Sequence, residues 1–444
     1  MTPSLNRRHF LGATGAGLLA LATGCGSGSG SGMAQPEGKV PAQYSKRQRV
    51  VIWYPWAAVP GEAFQRLVTA FNGAQNDIYV EAQYQGSYDE TAQKLATAMQ
   101  ARQLPDLCVF SDVTWNKFHL NDTLEPLGSY FSAGSLKPAE YVDQLIAEGT
   151  AKNETWWVPF ARSTPIFYYN KDLFEAAGLP DRGPKTWSEL REWSKAITAQ
   201  KVGGQNPKLT AYAQVDGDWQ FQGTVWQWSG NYSKGLDVTI DTGGAVEAGE
   251  WQRKLIHDDK LAYMAQSPKL DFSNGLIATL VESTGALTGI TKDSPFKVGT
   301  AYLPEETAFG CPTGGGGLSI MAGASKERKQ AAFEFLKFVA RAENAARWTV
   351  ETGYLPATKA AMETPEMLKL FDENPNFKKA VDQLPRTKAQ DPVRLLVPNA
   401  NRAIYGGLQK IYADNQPAEA VFKAVGAELR KGVESIRKTV EKHM

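Results

Sequence analysis

The sequence predicts an α/β protein of two lobes, the second more helical than the first. Three observations carry this. Short β-branched and aromatic runs alternate with helix-period segments in the first part. Helical periodicity dominates the later part. The chain, at 444 residues, is longer than one core can fill.

Taken in order, Val50-Val51-Ile52-Trp53-Tyr54 reads as a buried strand. Phe64, Leu67, Val68 and Phe71 follow at the i, i+3, i+4, i+7 spacing of an amphipathic helix. Residues 77–83 read as strand, 89–102 as helix and 106–110 as a third strand. Strands alternating with helices imply a parallel sheet, and such sheets bind ligands beyond the carboxyl ends of their strands. Tyr88, Ser111 and Asp112 each follow a predicted strand and so fall where a ligand would sit. A second unit starts near Val158. Thr186 and Glu189 have the spacing of a capping box, in which each side chain satisfies a free N–H group of the first helical turn. Leu190, Trp193 and Ile197 continue the buried face of that helix. Residues 331–346 are predicted as one helix, with Phe335, Leu336 and Val339 on its stripe. A long terminal helix carries Val425, Leu429, Val433 and Ile436. No internal repeat is present.

The first residues read as a processing signal rather than as structure. Arg7-Arg8 precedes an apolar stretch from Leu11 to Ala22, too short for the roughly 20 residues that span a bilayer. Small residues then lead into Cys25. This pattern resembles a bacterial lipoprotein signal with a twin-arginine pair, so Cys25 is expected to carry lipid and to begin the mature chain. Glycine and serine alternate from Gly26 to Gly32. A coil from there to about Gln48 spans roughly 25 Å, enough to hang a folded body from a membrane.

Composition excludes several function classes. Lys and Arg number 48 against 47 Asp and Glu, so no field favours nucleic acid or an anionic membrane. Of four histidines, none pairs with another His or Cys at metal-ligand spacing, so no metal and no cofactor are expected. No Gly-x-Ser-x-Gly elbow occurs. Thr313-Gly314-Gly315-Gly316-Gly317 lacks the Lys-Ser/Thr of a phosphate loop. It reads either as a flexible turn or as bare backbone offering N–H groups to a ligand. Twelve Trp and sixteen Tyr provide flat faces suited to sugars and organic cations, or simply fill large cores. Cys108 and Cys311 either form one disulfide, which export permits, or remain two buried thiols.

Phe167-Tyr168-Tyr169-Asn170-Lys171-Asp172-Leu173-Phe174, followed by Ala177-Gly178-Leu179-Pro180, resembles family 1 extracellular solute-binding proteins of ABC importers. That resemblance implies the maltose-binding type of fold: two α/β lobes joined by a hinge and closing over a solute. The expected division is a signal over 1–25 and a linker over 26–47. One lobe then takes 48–160 with about 280–325, and the other takes 161–279 with about 326–444. Five further stretches, 161–165, 283–285, 311–315, 352–356 and 382–385, are similar to actinobacterial glycerophosphodiester-binding lipoproteins, whose members bind glycerophosphocholine or glycerol-3-phosphate. Carried over residue by residue, the resemblance gives Arg394 the phosphate, which its forked donors suit. Ser163, Ser283 and Gly315 give hydroxyl or N–H groups to the same phosphate. Asp112 accepts from the glycerol hydroxyls, Tyr88 and Tyr354 line the pocket, and Trp219 faces the choline end. Asp216 and Asp218, beside Trp219, depart from the more apolar loop expected there.

The resulting expectation is no enzyme. It is a monomeric, lipid-anchored protein at the outer face of the cell membrane that delivers a glycerophosphodiester, preferentially glycerophosphocholine, to an ABC permease. A carbohydrate-binding protein of the same fold is the alternative, and a lipid-anchored hydrolase of the same diesters a third reading.

Overall fold

The computed structural model describes residues 32–444 except Ser135, Val215 and Asp216. The expected signal, the lipidation site Cys25, nearly all of the Gly/Ser run and Asp216 lie outside the described residues.

The first elements follow the predicted alternation. Strand β1 (Gln48–Tyr54), helix α1 (Ala58–Ala74), β2 (Ile78–Tyr84), α2 (Tyr88–Gln100), β3 (Leu107–Ser111) and α3 (Thr114–His119) occur in that order. Strand β1 runs parallel to both β2 and β3, which places the ends of β2 and β3 on one edge. Ser87 caps α2 with Glu90 in a complete capping box, so Tyr88 begins the first turn there.

β4 (Val158–Ser163) does not open the second unit as the sequence suggested; it closes the first sheet. The chain leaves that sheet one residue later, at the fully buried Thr164, and enters β5 (Pro165–Asn170). Gln383 pins this crossing by donating to the Thr164 hydroxyl at 3.2 Å and to the Pro165 carbonyl at 2.8 Å.

Beyond the crossing come α4 (Trp187–Thr198), β6 (Thr210–Ala213), α5 (Asp218–Gln227), α6 (Gly243–His257), β7 (Ala262–Ala265), β8 (Thr279–Ser283) and β9 (Val298–Ala301). Strands β8 and β9 flank β5 antiparallel, while β6 and β7 pair parallel. Thr186 caps α4 by accepting from Glu189 N–H at 2.9 Å. The Glu189 carboxylate turns instead to Lys185 N–H and Arg182, so only half of the expected capping box forms.

β10 (Gly314–Ile320) then returns to the first sheet and lies between β3 and β4, giving the order β2-β1-β3-β10-β4. The glycine run is therefore a central strand, not a turn. Each glycine admits a neighbour that a side chain would displace. A Cβ on Gly314 would stand 2.4 Å from the Trp219 ring, on Gly316 2.5 Å from the Tyr88 hydroxyl, and on Gly317 2.4 Å from the Trp157 ring. At Gly315 φ is +91° and a Cβ would meet the Ala161 carbonyl oxygen at 2.1 Å, so glycine is required there.

The helix expected over 331–346 is two helices, α7 (Lys326–Ala340) and α8 (Ala342–Thr352), because Arg341 is extended at φ −58°, ψ 142°. Both pack on the first sheet. Ala331, Phe335, Leu336 and Trp348 share a core with Val50, Ile52 and Phe64. Conversely, Leu280, Leu287 and Ile290 are buried with Ile166 and Tyr168 of the second lobe. The expected boundaries near 280 and 326 are corrected accordingly: 280–301 belongs with the second lobe and 326–352 with the first. A strand or helix goes with the face that buries its apolar stripe, and each fully buried Phe or Leu contributes about 1.5–3 kcal/mol to that choice. The last elements, α9 (Pro392–Leu396), α10 (Ala400–Asp414) and α11 (Ala418–His443), complete the second lobe's core around Phe221, Leu255, Ile404, Leu408, Phe422 and Leu429.

Cys108 and Cys311 are both buried free thiols, so the disulfide alternative is not realised. Burial pushes each thiol's pKa up, which keeps it protonated and unreactive.

Candidate ligand-binding cleft

The strand ends of the first sheet form one face of the cleft. Tyr88, at the start of α2, accepts a 3.0 Å hydrogen bond from Trp56 Nε1. Tyr354 stacks on Trp348 with ring centroids 5.6 Å apart and 9° between planes, and Trp56 lies 6.4 Å from it. Burial pushes the Tyr354 phenol up to about 12, offset in part by hydrogen bonding with Tyr88 and Trp56. Burial also drives the Tyr88 phenol well above its usual range. Both phenols are therefore neutral at physiological pH and available as donors.

The glycine strand is the floor. Gly314 pairs in register with Ser163, and Gly316 with Ser111. Asp112 N–H donates to the Gly315 carbonyl at 3.1 Å. Asp112 is 6% exposed, and its carboxylate accepts from Val113 N–H at 2.9 Å and from the Gln390 amide. Burial raises its pKa, while Arg394 and Arg162 pull it back down.

The opposite face comes from α5, α9 and the end of β8. Arg394 is 6% exposed, and its Nε donates to the Asp218 carboxylate at 2.6 Å. Its Nη1 donates to the Gln390 side-chain carbonyl. Gln390 also donates to the Thr313 carbonyl at 2.7 Å, so one amide ties Arg394, Asp112 and the glycine strand together. The short helix carrying Arg394 is itself anchored through Asp391. That carboxylate accepts from Gln222 at 2.9 Å, Trp226 Nε1 at 3.2 Å and Tyr232 N–H at 2.6 Å. Trp219 Nε1 donates to the Thr313 carbonyl at 2.9 Å, which fixes the ring over Gly314. Ser283 Oγ accepts from Gly285 N–H at 3.1 Å, and Gly285 abuts the Tyr354 ring.

The structure thus brings all eight residues singled out in the sequence, Tyr88, Asp112, Ser163, Trp219, Ser283, Gly315, Tyr354 and Arg394, into one connected set. Sequence reasoning missed four that hold the set together: Gln390, Asp391, Arg162 and Glu148. Arg162 is fully buried, donates to Glu148 at 2.7 Å and lies over the Trp157 ring at 4.8 Å. Gln390 and Asp391 stand four and three residues before Arg394, which was the only available signal. Among the described residues, no group of three or more His, Cys, Asp or Glu side chains could hold a metal ion. No helix among them is long and apolar enough to cross a membrane. The site offers donors for an anion, acceptors for hydroxyls and flat aromatic faces, with no nucleophile paired to a base.

A two-lobed α/β body with a polar cleft between its lobes defines a capture protein for small solutes. The chain belongs to the bacterial extracellular solute-binding protein family, whose model matches residues 66–379. It is the solute-capturing component of an ABC importer, not a catalyst. Among relatives, it is 26% identical over 352 residues to the sn-glycerol-3-phosphate-binding periplasmic protein UgpB of Pectobacterium atrosepticum, covering 76% of this chain and 79% of that protein. The Escherichia coli K12 protein of the same name is 24% identical over 350 residues, covering 76% of this chain and 80% of its own. Among solved structures, UgpB from Mycobacterium tuberculosis in complex with glycerophosphocholine is 34% identical, with a TM-score of 0.82 over 87% of this chain and 98% of that one. The cyclic alpha-maltosyl-1,6-maltose binding protein of Arthrobacter globiformis, 22% identical with a TM-score of 0.74 over 88% of this chain and 100% of its own, shares the fold.

Proposed function

We propose that this protein captures glycerophosphodiesters, with glycerophosphocholine preferred, between its two closing lobes and hands them to the permease of an ABC importer. The observation that carries this reading is Arg394, a buried guanidinium beside the cleft floor whose charge a phosphodiester would meet. Ser163, Ser283 and the Gly315 backbone supply further donors to the phosphate. Asp112 accepts from the glycerol hydroxyls, Tyr88 and Tyr354 close the pocket, and the Trp219 face receives the quaternary ammonium. The similarity to a glycerophosphocholine-bound relative supports the assignment. Export through the Arg7-Arg8 signal, a lipid on Cys25 that tethers a monomer to the outer face of the cell membrane, and lobes divided at Thr164 complete the proposal.

Titration calorimetry of the full-length chain tests it, with glycerophosphocholine, glycerol-3-phosphate, maltose and trehalose side by side. Saturable binding of the diester with silence from both sugars is the expected result. Binding of a sugar alone would mean that the buried arginine serves the fold and that the cleft takes carbohydrate.

A further inference from the structure

The second lobe holds a cavity of about 50 Å³ whose lining includes none of the eight site residues. Its lining includes Tyr212, Gln220, Phe221, Gln252, Glu282 and Tyr412. Glu282 lies near enough to Tyr354 of the main site to act on its phenol, and Gln220 sits one residue beyond Trp219 on the same helix.

The polar groups on this cavity are left unfinished. The Tyr212 hydroxyl and the Gln220 side-chain carbonyl are both buried with no hydrogen-bond partner. Each such group costs about 1–3 kcal/mol until something pairs with it. Glu282 accepts from Ser283 N–H at 2.7 Å, yet no lysine or arginine among the described residues lies within 4 Å of its carboxylate. Lys269 influences it only from farther away, and burial outweighs that influence and raises its pKa. Tyr212 and Tyr412 stack at 5.1 Å with 23° between planes, and Tyr412 is itself spent on Gln252. What remains open is three acceptors on the lining of this cavity: a carboxylate, an amide oxygen and a phenol oxygen.

We propose that this cavity is a head-group subsite for a primary ammonium, with Glu282 as its charge partner and Gln220 and Tyr212 as its two further acceptors. An ammonium group carries three N–H donors and matches three acceptors. A trimethylammonium group has no N–H to give and would leave all three acceptors unpaired. The inference rests on the phosphodiester reading above and adds a ligand to it: a glycerophosphodiester ending in ethanolamine reaches the cavity, while a choline head group stays at Trp219.

The test is calorimetry on the full-length chain with glycerophosphoethanolamine and glycerophosphocholine, in the wild type, Glu282→Gln and Tyr212→Phe. The wild type should bind both diesters. Glu282→Gln should weaken the ethanolamine diester about tenfold or more and the choline diester by less than about threefold. Tyr212→Phe, which keeps the stacked ring, should weaken only the ethanolamine diester, by a few-fold, and serves if Glu282→Gln fails to fold. Wild-type binding of the choline diester with none of the ethanolamine diester overturns the subsite and leaves the main proposal standing. Equal losses for both ligands in the variants overturn it as well, since Glu282 and Tyr212 would then act only on the fold. Failure of the wild type to bind either diester overturns both readings.

Discussion

The two faces of the cleft are built on different principles. The first lobe's face is mostly backbone: a glycine strand hydrogen-bonded on both sides, with Asp112 just beyond the neighbouring strand β3 and Tyr88 at the start of α2. Its geometry is fixed by ladder register. The second lobe's face is side chains on a five-residue helix, held by a buried carboxylate and an ion pair. Its geometry is fixed by electrostatics in a low-dielectric interior, where each partner is costly to lose. A rigid backbone cradle opposite a charge-held arm suits a protein that must close on a solute and release it. It also means that damage to the two faces should differ in kind: substitutions in the arm should remove affinity together with stability, and substitutions in the cradle should act chiefly on stability.

The largest effect should come from the arm. Arg394→Ala deletes the guanidinium and leaves Asp218 and Asp112 buried without their nearest cation. Affinity for glycerophosphocholine should fall about 100-fold or more, read by calorimetry. Breaking a buried pair costs about 3–5 kcal/mol, so urea denaturation should register it too. Unchanged affinity would break the comparison, because the arm would then be structural.

Next is the cradle. Gly315→Ala places a side chain at φ +91° and 2.1 Å from the Ala161 carbonyl oxygen. Left-handed strain and a backbone clash that the ladder cannot relieve should destabilise the protein by about 2–4 kcal/mol, measured by urea denaturation. Any protein that remains folded should show a smaller loss of affinity than Arg394→Ala does.

The difference between the faces also decides what the sequence could reveal. The cradle's strands were legible because buried strands are short, apolar and β-branched, and Val50 to Tyr54 and residues 106–110 met that pattern. The glycine strand was not, since Gly314 to Gly317 carry no apolar periodicity; their meaning lies in the Trp219, Tyr88 and Trp157 rings pressed against them. Arg394 and the other site residues were found through resemblance, not through spacing. Gln390 and Asp391 escaped because their partners, Asp112 and Gln222, lie 278 and 169 residues away. Lobe membership failed for a related reason. Local periodicity announces that 331–340 is a helix, but not which sheet its stripe covers. The break at Arg341 left no mark either, since Arg is a good helix former.

Asp112 belongs to the cradle yet touches the arm, so its removal sharpens the distinction. Burial lifts its folded-state pKa above the unfolded value of about 3.9. The folded chain therefore holds this proton more tightly than the unfolded chain. The stability this provides is fully present below the unfolded value and is lost as pH rises through the folded one. Asp112→Asn should flatten that part of the stability profile, measured by denaturation across acidic pH, and make the protein slightly more stable near neutrality. Affinity for the diester should nevertheless fall about 5- to 10-fold, since the amide is a weaker acceptor for glycerol hydroxyls than the carboxylate. A variant both more stable and weaker in binding would place Asp112 with the arm in function and with the cradle in structure.

The smallest effect lies at the rim, where the faces meet outside the buried set. Arg402 of α10 pairs with Asp89 of α2 at 2.9 Å across a crevice of about 300 Å³ between the lobes. The two side chains remain 44% and 39% exposed. Water and salt screen such a pair, so it contributes about 0–1 kcal/mol and cannot set affinity as Arg394 does. It joins opposite lobes, however, so what it does contribute acts only while the lobes are together. Arg402→Ala should therefore leave the association rate of glycerophosphocholine unchanged and raise its dissociation rate about twofold at low salt, by stopped-flow fluorescence. At about 1 M salt the variant and the wild type should coincide, because the screening length falls to about 3 Å. A loss that persists in high salt would mean that the Arg402 side chain packs between the lobes instead of pairing across them, and the rim would then belong with the arm.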